Sequence, residues 1–213
     1  MSDVPKPLAP VSGRPFLAWV LDNLNQQGVR ETVLAVGYKA YMIMGAIGNQ
    51  WDGMRIAYSV EDTPLGTGGA IHKALSATSD DDVLILNGDT FLEVDLHSLF
   101  SKHQKSGRKI TLTTSQILDS TRYGSVELSS EGDVIAFHEK GKIGSGKING
   151  GIYAIDRKIM DHVPPESAFS FESEFLITDG PAGKLGSFPS NGLFIDIGVP
   201  EDYKRAQSIF PIK

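Results

Sequence analysis

The 213-residue sequence contains no cysteine, which excludes both a disulfide framework and a thiolate metal site. Nowhere do apolar residues run for the roughly 20 positions that a membrane-spanning helix needs. The opening segment, MSDVPKPLAPVSGRP, lacks the apolar core of a secretory leader. No membrane association is read from the chain, and a cytoplasmic location is expected. Positive charge is also in short supply: 20 Lys and Arg stand against 26 Asp and Glu, for a net charge of −6 and no basic stripe. Any phosphate handled here therefore belongs to a small molecule rather than to DNA or RNA. The five histidines (His72, His97, His103, His138 and His162) show no metal-ligand spacing and read as structural or surface residues. There is no internal repeat and no low-complexity tract.

What is present is the balance of an ordinary globular domain, with 40% hydrophobic and 22% charged residues. Phe16, Leu17, Val20, Leu21 and Leu24 recur at helical spacing within Arg14 to Gln27, and Gly28 supplies a stop. Thr32 to Val36 is too short and too apolar for anything but a strand buried on both faces, which implies a parallel sheet. The alternation continues with a helix around Tyr41 to Ile47, a strand at Arg55 to Val60, a helix from Gly68 to Ala77 and a strand at Asp82 to Leu86. A helix over Asp95 to Ser106 and a strand at Lys109 to Gln116 follow. Beyond them the pattern becomes mixed, with short strands at Ser125 to Leu128, Val134 to Glu139 and Lys147 to Ile155, and a surface loop over Gly141 to Gly146. Short helices near Asp156 to His162 and Phe171 to Ile177, a strand at Leu193 to Ile197 and a helix from Pro200 to Ile209 complete an α/β chain with an open Rossmann-like sheet.

In such a sheet, ligands gather beyond the carboxyl ends of the strands, and four polar segments are candidates. Asn87-Gly88-Asp89-Thr90 puts a carboxylate directly after the strand Val83 to Leu86. Mg²⁺ suits that position, because it takes one or two carboxylates and leaves its other positions to water and phosphate. An ordinary turn uses the same residues. Phe194-Ile195-Asp196-Ile197-Gly198 sets one acid inside an apolar strand, where a buried carboxylate is costly unless it is paired or metal-bound. Sharing one Mg²⁺ with Asp89 would explain it, as would an edge-strand Asp facing water. Pro64-Leu65-Gly66-Thr67-Gly68-Gly69-Ala70 is a glycine-rich turn that lets backbone N–H groups approach a phosphate or base, although a tight strand-to-helix turn accounts for it nearly as well. Glu139-Lys140 ends one strand and Asn149-Gly150-Gly151 begins the next. Lys140 can hold a phosphate as a point charge and Glu139 can accept from sugar hydroxyls; a surface ion pair beside a turn is the competing reading.

Taken in order, these segments resemble the sugar-1-phosphate nucleotidyltransferase family. The resemblance covers nearly the whole chain: Val4-Pro5-Lys6-Pro7-Leu8, Gly13-Arg14-Pro15-Phe16, Pro64 to Ala70, Asn87-Gly88-Asp89, Tyr123-Gly124, Glu139-Lys140, Asn149-Gly150-Gly151 and Asp196 to Tyr203. Within the family, VPKPLAPVSGRPF, VLAVGYKA, PLGTGGA, FSFE and FIDIGVPEDY are most similar to D-glycero-D-manno-heptose-1-phosphate guanylyltransferases. The resemblance implies one domain with a nucleotide-binding half (1–117) and a sugar-binding half (118–213). Its substrates would be a nucleoside triphosphate and a sugar 1-phosphate. Asp89 and Asp196 would hold Mg²⁺, Lys6 would reach the nucleotide phosphates, Leu65, Gly66, Thr67, Gly68 and Gly69 would contact the base, and Lys140 would orient the sugar phosphate. Tyr123, Gly124, Glu139, Asn149, Gly150 and Glu172 would line the sugar pocket. Mannose 1-phosphate with GTP, a hexose 1-phosphate with UTP or dTTP, and a non-catalytic nucleotide-sugar-binding subunit are the alternatives.

One departure stands out. Members of that family open with an apolar strand and a Gly-x-Gly-Thr-Arg-Leu loop that wraps the triphosphate, whereas this sequence reads from Met1 almost directly into the lysine motif. The resemblance then implies that the strands at Val33 to Val36 and Val83 to Leu86 have unpaired edges. An upstream start, a strand donated by another chain, or closure of the sheet by rearrangement would each answer this, and open edges favour self-association into a homo-oligomer. Weak nucleotide binding and slow turnover are expected of the chain as given.

Overall fold

The computed structural model describes residues 4–117, 123, 125–138, 146–179 and 185–211. A 3-10 turn at Lys6–Leu8 leads into a small hairpin, β1 (Pro10–Val11) and β2 (Arg14–Pro15), and then α1 (Phe16–Gln26). The apolar stripe of α1 is its buried face, comprising Phe16, Leu17, Val20, Leu21 and Leu24. β3 (Glu31–Val36), α2 (Ala40–Ile47), β4 (Gln50–Trp51) and β5 (Met54–Val60) follow. β3 lies parallel to β5 in a three-stranded sheet ordered β3-β5-β4. α3 (Gly66–Leu75) then crosses to β6 (Asp82–Leu86).

After β7 (Thr90–Leu92), α4 (Leu96–Ser106) starts on an Asp95 side chain that accepts from the Ser98 N–H and stops at Gly107, which has a φ of 65°. β8 (Ile110–Ile117), β9 (Ser125–Leu128), β10 (Val134–His138) and β11 (Gly146–Asp156) build the second sheet, ordered β10-β9-β11-β8-β12, with β6 also on β11. A 3-10 turn (Arg157–Met160) and a π-helical segment (Phe171–Asp179) precede β12 (Leu185–Ser190), β13 (Phe194–Asp196) and α5 (Pro200–Ile209). Two apolar clusters form. One is centred on α1, Met54 and Ile195; the other on Ile110, Tyr153, Phe171 and Phe175. No helix among the described residues is long and apolar enough to cross a membrane.

Most elements fall where the apolar spacing places them. β12 was not expected, because its sequence LGSFPS carries Gly186 and Pro189. It pairs in parallel with β8 alone among the named strands, and an edge strand is where a proline is tolerated. The loop expected over Gly141 to Gly146 lies outside the described residues apart from Gly146, which already belongs to β11.

The expectation of a strand buried on both faces fails for β3, where Thr32, Val33 and Leu34 are half-buried and Ala35 is exposed. Among the described residues β3 pairs only with β5, and β6 only with β11. Both open edges line one cavity of about 680 Å³, walled otherwise by Leu17, Val20, Leu21 and Leu24 of α1 and Ile71, Ala74 and Leu75 of α3. Hydrogen-bond parity identifies the groups that face it. The Arg30 and Val36 carbonyls accept from Arg55 and Glu61 beside β5, so Val33 and Ala35 point their N–H and C=O the other way. The Asn87 N–H and Asp81 carbonyl bond beside β11, so Leu84 and Leu86 also face the cavity. Among the described residues, then, no strand pairing closes the two sheets on each other.

Candidate functional site

β7 and β13 pair antiparallel, with Thr90 opposite Asp196, and the Ile197 N–H donates to the Asp89 carbonyl at 3.0 Å. This pairing brings two distant acids, Asp89 and Asp196, to one corner of the molecule. Lys6 enters the same corner from the N-terminal turn and donates to Asp89 Oδ2 at 3.2 Å. A Cβ built on Gly198 would lie 2.9 Å from Asp196 Oδ1 and 3.3 Å from Lys6 Nζ, so the lysine and the Asp196 carboxylate both border Gly198. Asp196 is half-buried rather than enclosed, and its Oδ1 accepts from the Gly198 N–H at 2.8 Å. The cost of a fully buried lone acid therefore does not arise. The Lys6 and Asp89 side chains are 62% and 33% exposed, leaving room for a phosphate-bearing ligand. No third His, Asp or Glu joins them as a cage among the described residues. Two hard, partly hydrated carboxylates beside an ammonium fit a Mg²⁺ whose remaining ligands are water and phosphate.

A second polar cluster lies beyond the same carboxyl end of β6, reached through Asn87. Glu172 Oε1 accepts from the Tyr153 hydroxyl at 3.1 Å and from Asn87 Nδ2 at 3.4 Å, while Asn149 Nδ2 donates to the same hydroxyl at 2.6 Å. Tyr153 is fully buried. Its phenol pKa is pushed well above the usual range by that burial first, and then by the Glu172 charge, so it stays a neutral donor and acceptor. The backbone makes this possible through a bulge, because the pairing of β11 with β8 shifts register between Asn149 and Tyr153. Thr113 Oγ1 bridges the gap, donating to the Ile152 carbonyl and accepting from its N–H. Gly151 sits at φ 73°, and a Cβ on Gly150 would come within 2.6 Å of Leu92 and Thr113. Asn149, Gly150 and Glu172 are thus brought together, joined by Asn87 and Tyr153. Sequence reasoning missed Tyr153, since within GGIYAI its hydroxyl is indistinguishable from core aromatic packing.

The glycine-rich turn has a use that sequence alone did not reveal. A Cβ on Gly66, Gly68 or Gly69 would collide with Phe169 or Ser167. Gly68 N–H donates to the Phe169 carbonyl at 2.9 Å, Phe169 N–H to the Leu65 carbonyl at 3.0 Å, and Phe171 N–H to Thr67 Oγ1 at 2.8 Å. The small residues let the segment that ends in Glu172 lie directly on α3. Leu65 itself is buried, and its N–H donates to Glu61 Oε2 at 2.9 Å.

Tyr123 donates its hydroxyl to Asp202 Oδ2 at 2.7 Å and packs edge-on against Phe194 at 5.4 Å. Burial, then the Asp202 hydrogen bond, raises its pKa. Gly124, Glu139 and Lys140 lie outside the described residues. Of the histidines, His103 is buried and bonded to Thr111 Oγ1 at 3.0 Å, a structural role as expected.

Known proteins resemble this chain over nearly its whole length. The nucleotidyl transferase family profile matches residues 2–210. The D-glycero-α-D-manno-heptose 1-phosphate guanylyltransferase of Aneurinibacillus thermoaerophilus is 42% identical over 207 residues, covering 97% of this chain and 90% of its own. The enzyme of the same name from Campylobacter jejuni is 41% identical over 203 residues, covering 95% and 89%. The crystal structure of HddC from Yersinia pseudotuberculosis complexed with GMP-PN superposes with a TM-score of 0.89 at 34% identity, over 99% of this chain and 92% of that one.

Proposed function

On the premise that the chain belongs to the nucleotidyl transferase family, we propose that it transfers a guanylyl group from GTP to D-glycero-α-D-manno-heptose 1-phosphate. Identity above 40% across nearly the full length of two relatives with that activity supports the substrate pair. The observation that carries the chemistry is the convergence of Lys6, Asp89 and Asp196 on one corner, with Asn149 and Glu172 forming a second polar cluster at the end of β6.

In this reading a sugar-phosphate oxygen attacks the α-phosphorus of GTP in line. A new P–O bond forms, the α–β bridging bond breaks, and pyrophosphate leaves. Asp89 and Asp196 hold Mg²⁺, which when bound neutralises charge on the reacting phosphates. Lys6 leaves Asp89 for a phosphate oxygen, a modest exchange for an exposed pair. Glu172 and Asn149 accept and donate to sugar hydroxyls, with Tyr123, Gly124, Glu139 and Gly150 completing the pocket. Lys140 orients the sugar phosphate, and Leu65 to Gly69 contact the base. Catalysis comes from positioning and charge neutralisation, with no covalent protein intermediate.

A thermal-shift panel with Mg²⁺ tests the base. GTP near 100 times its Kd should stabilise the protein by about 2.7 kcal/mol, and UTP or dTTP by much less. Stronger stabilisation by UTP than by GTP would overturn the guanylyl assignment.

A further inference from the structure

Asp202 stands in the first turn of α5, where an acid is usually explained by the helix dipole alone. Two observations set it apart. The residue is only 7% exposed, and one oxygen serves two clients. Oδ2 accepts from the Tyr123 hydroxyl at 2.7 Å and from the backbone N–H of Asp196 at 3.1 Å. Its other oxygen meets Arg205 at 3.1 Å, and that guanidinium also donates to the Phe194 carbonyl at 2.5 Å, two residues before Asp196 on β13. The carboxylate is therefore tied at both ends to the strand that carries Asp196.

We propose that Asp202 is a positioning residue that couples the sugar-side tyrosine to the cation-side aspartate. The inference rests on the roles given to Tyr123 and Asp196 under Proposed function. A displacement of Tyr123 by sugar phosphate reaches the Asp196 backbone through one shared oxygen, and a cation drawing on Asp196 acts on Tyr123 in return. Asparagine cannot replace this carboxylate. With its carbonyl toward Tyr123 its amide faces the Arg205 cation; turned round, it presents a donor to two donors.

Mn²⁺, as a spin-active stand-in for Mg²⁺, provides the probe. Its affinity is measured in the presence of GTP for the unsubstituted chain, Asp202→Asn, Tyr123→Phe and the double variant, with Tm recorded for each. Asp202→Asn should weaken Mn²⁺ binding about tenfold, the loss expected for one hydrogen bond to a charged group. Tyr123→Phe should shift it in the same direction although the phenol touches no cation, and the double variant should be no weaker than Asp202→Asn. A merely structural Asp202 would lower Tm and leave Mn²⁺ affinity in Tyr123→Phe unchanged, and that result overturns the coupling. If Asp202→Asn does not fold, Tyr123→Phe decides the question alone. Failure of the unsubstituted chain to bind Mn²⁺ overturns the cation roles of Asp89 and Asp196, and this inference with them.

Discussion

Replacing Tyr153 with phenylalanine removes one oxygen atom from the centre of the polar cluster and leaves the ring packing intact. That oxygen belongs to a fully buried residue; it donates to half-buried Glu172 at 3.1 Å and accepts from half-buried Asn149 at 2.6 Å. Glu172 keeps Asn87 as a donor at 3.4 Å. The half-buried Asn149 amide loses this partner but keeps partial access to water, so the cost is about 1 kcal/mol, the net worth of one hydrogen bond, rather than the full penalty of a buried orphan. Urea unfolding should show a loss of that size at unchanged m-value. With Glu172 and Asn149 no longer held together, affinity for heptose 1-phosphate should fall about tenfold while affinity for GTP stays constant. The pH dependence gives an independent check. Burial raises the Tyr153 pKa above its unfolded value of about 10, so the stability from keeping it neutral is complete below about pH 10 and is lost as pH rises beyond it. Phenylalanine should remove part of that alkaline loss. A change below about 0.5 kcal/mol, with sugar-phosphate affinity unaltered, would refute the assigned network.

Residue-resolved hydrogen exchange should find the amides of Val33, Ala35, Leu84 and Leu86 fast beside slow neighbours at Leu34 and Ile85, following the parity of the open edges; uniform protection along β3 and β6 would contradict it. Gly68→Ala should destabilise by about 1–3 kcal/mol through overlap with Phe169, and adding Phe169→Ala should recover part of that loss in the same urea titration. Asp89→Asn should abolish Mg²⁺-dependent turnover while shifting stability by less than about 0.5 kcal/mol, because its pair with Lys6 is exposed; activity retained at wild-type level removes Asp89 from the cation site. His103 is held below its usual pKa by burial, against the pull of Asp82. The unfolded chain therefore takes up the proton first, and stability should fall as pH drops below about 6.5, with a shallower fall in His103→Gln.

Element types were legible because α1, β3, β5 and β6 carry strong apolar periodicity, and the approach of Asp89 and Asp196 to one corner followed from where the strands end. What could not be read depended on contacts between distant segments. Phe169 lies about a hundred positions beyond the glycines it fits, so PLGTGGA alone pointed equally well to a ligand. Asp202 looked like any acid opening a helix until burial and its two donors were known. β12 was hidden by its own glycine and proline, tolerated there because it pairs with β8 alone among the named strands. The half-exposure of β3 reflects an empty flank, a tertiary property that no local pattern records.

The central claim is tested most directly by incubating the chain with Mg²⁺, GTP and D-glycero-α-D-manno-heptose 1-phosphate and following product by mass spectrometry, which registers slow turnover as well as fast. GDP-heptose with equimolar pyrophosphate is the predicted result, formed faster than product from UTP or from mannose 1-phosphate. Faster transfer to mannose 1-phosphate, a preference for UTP, or no guanylyl transfer from GTP would contradict it.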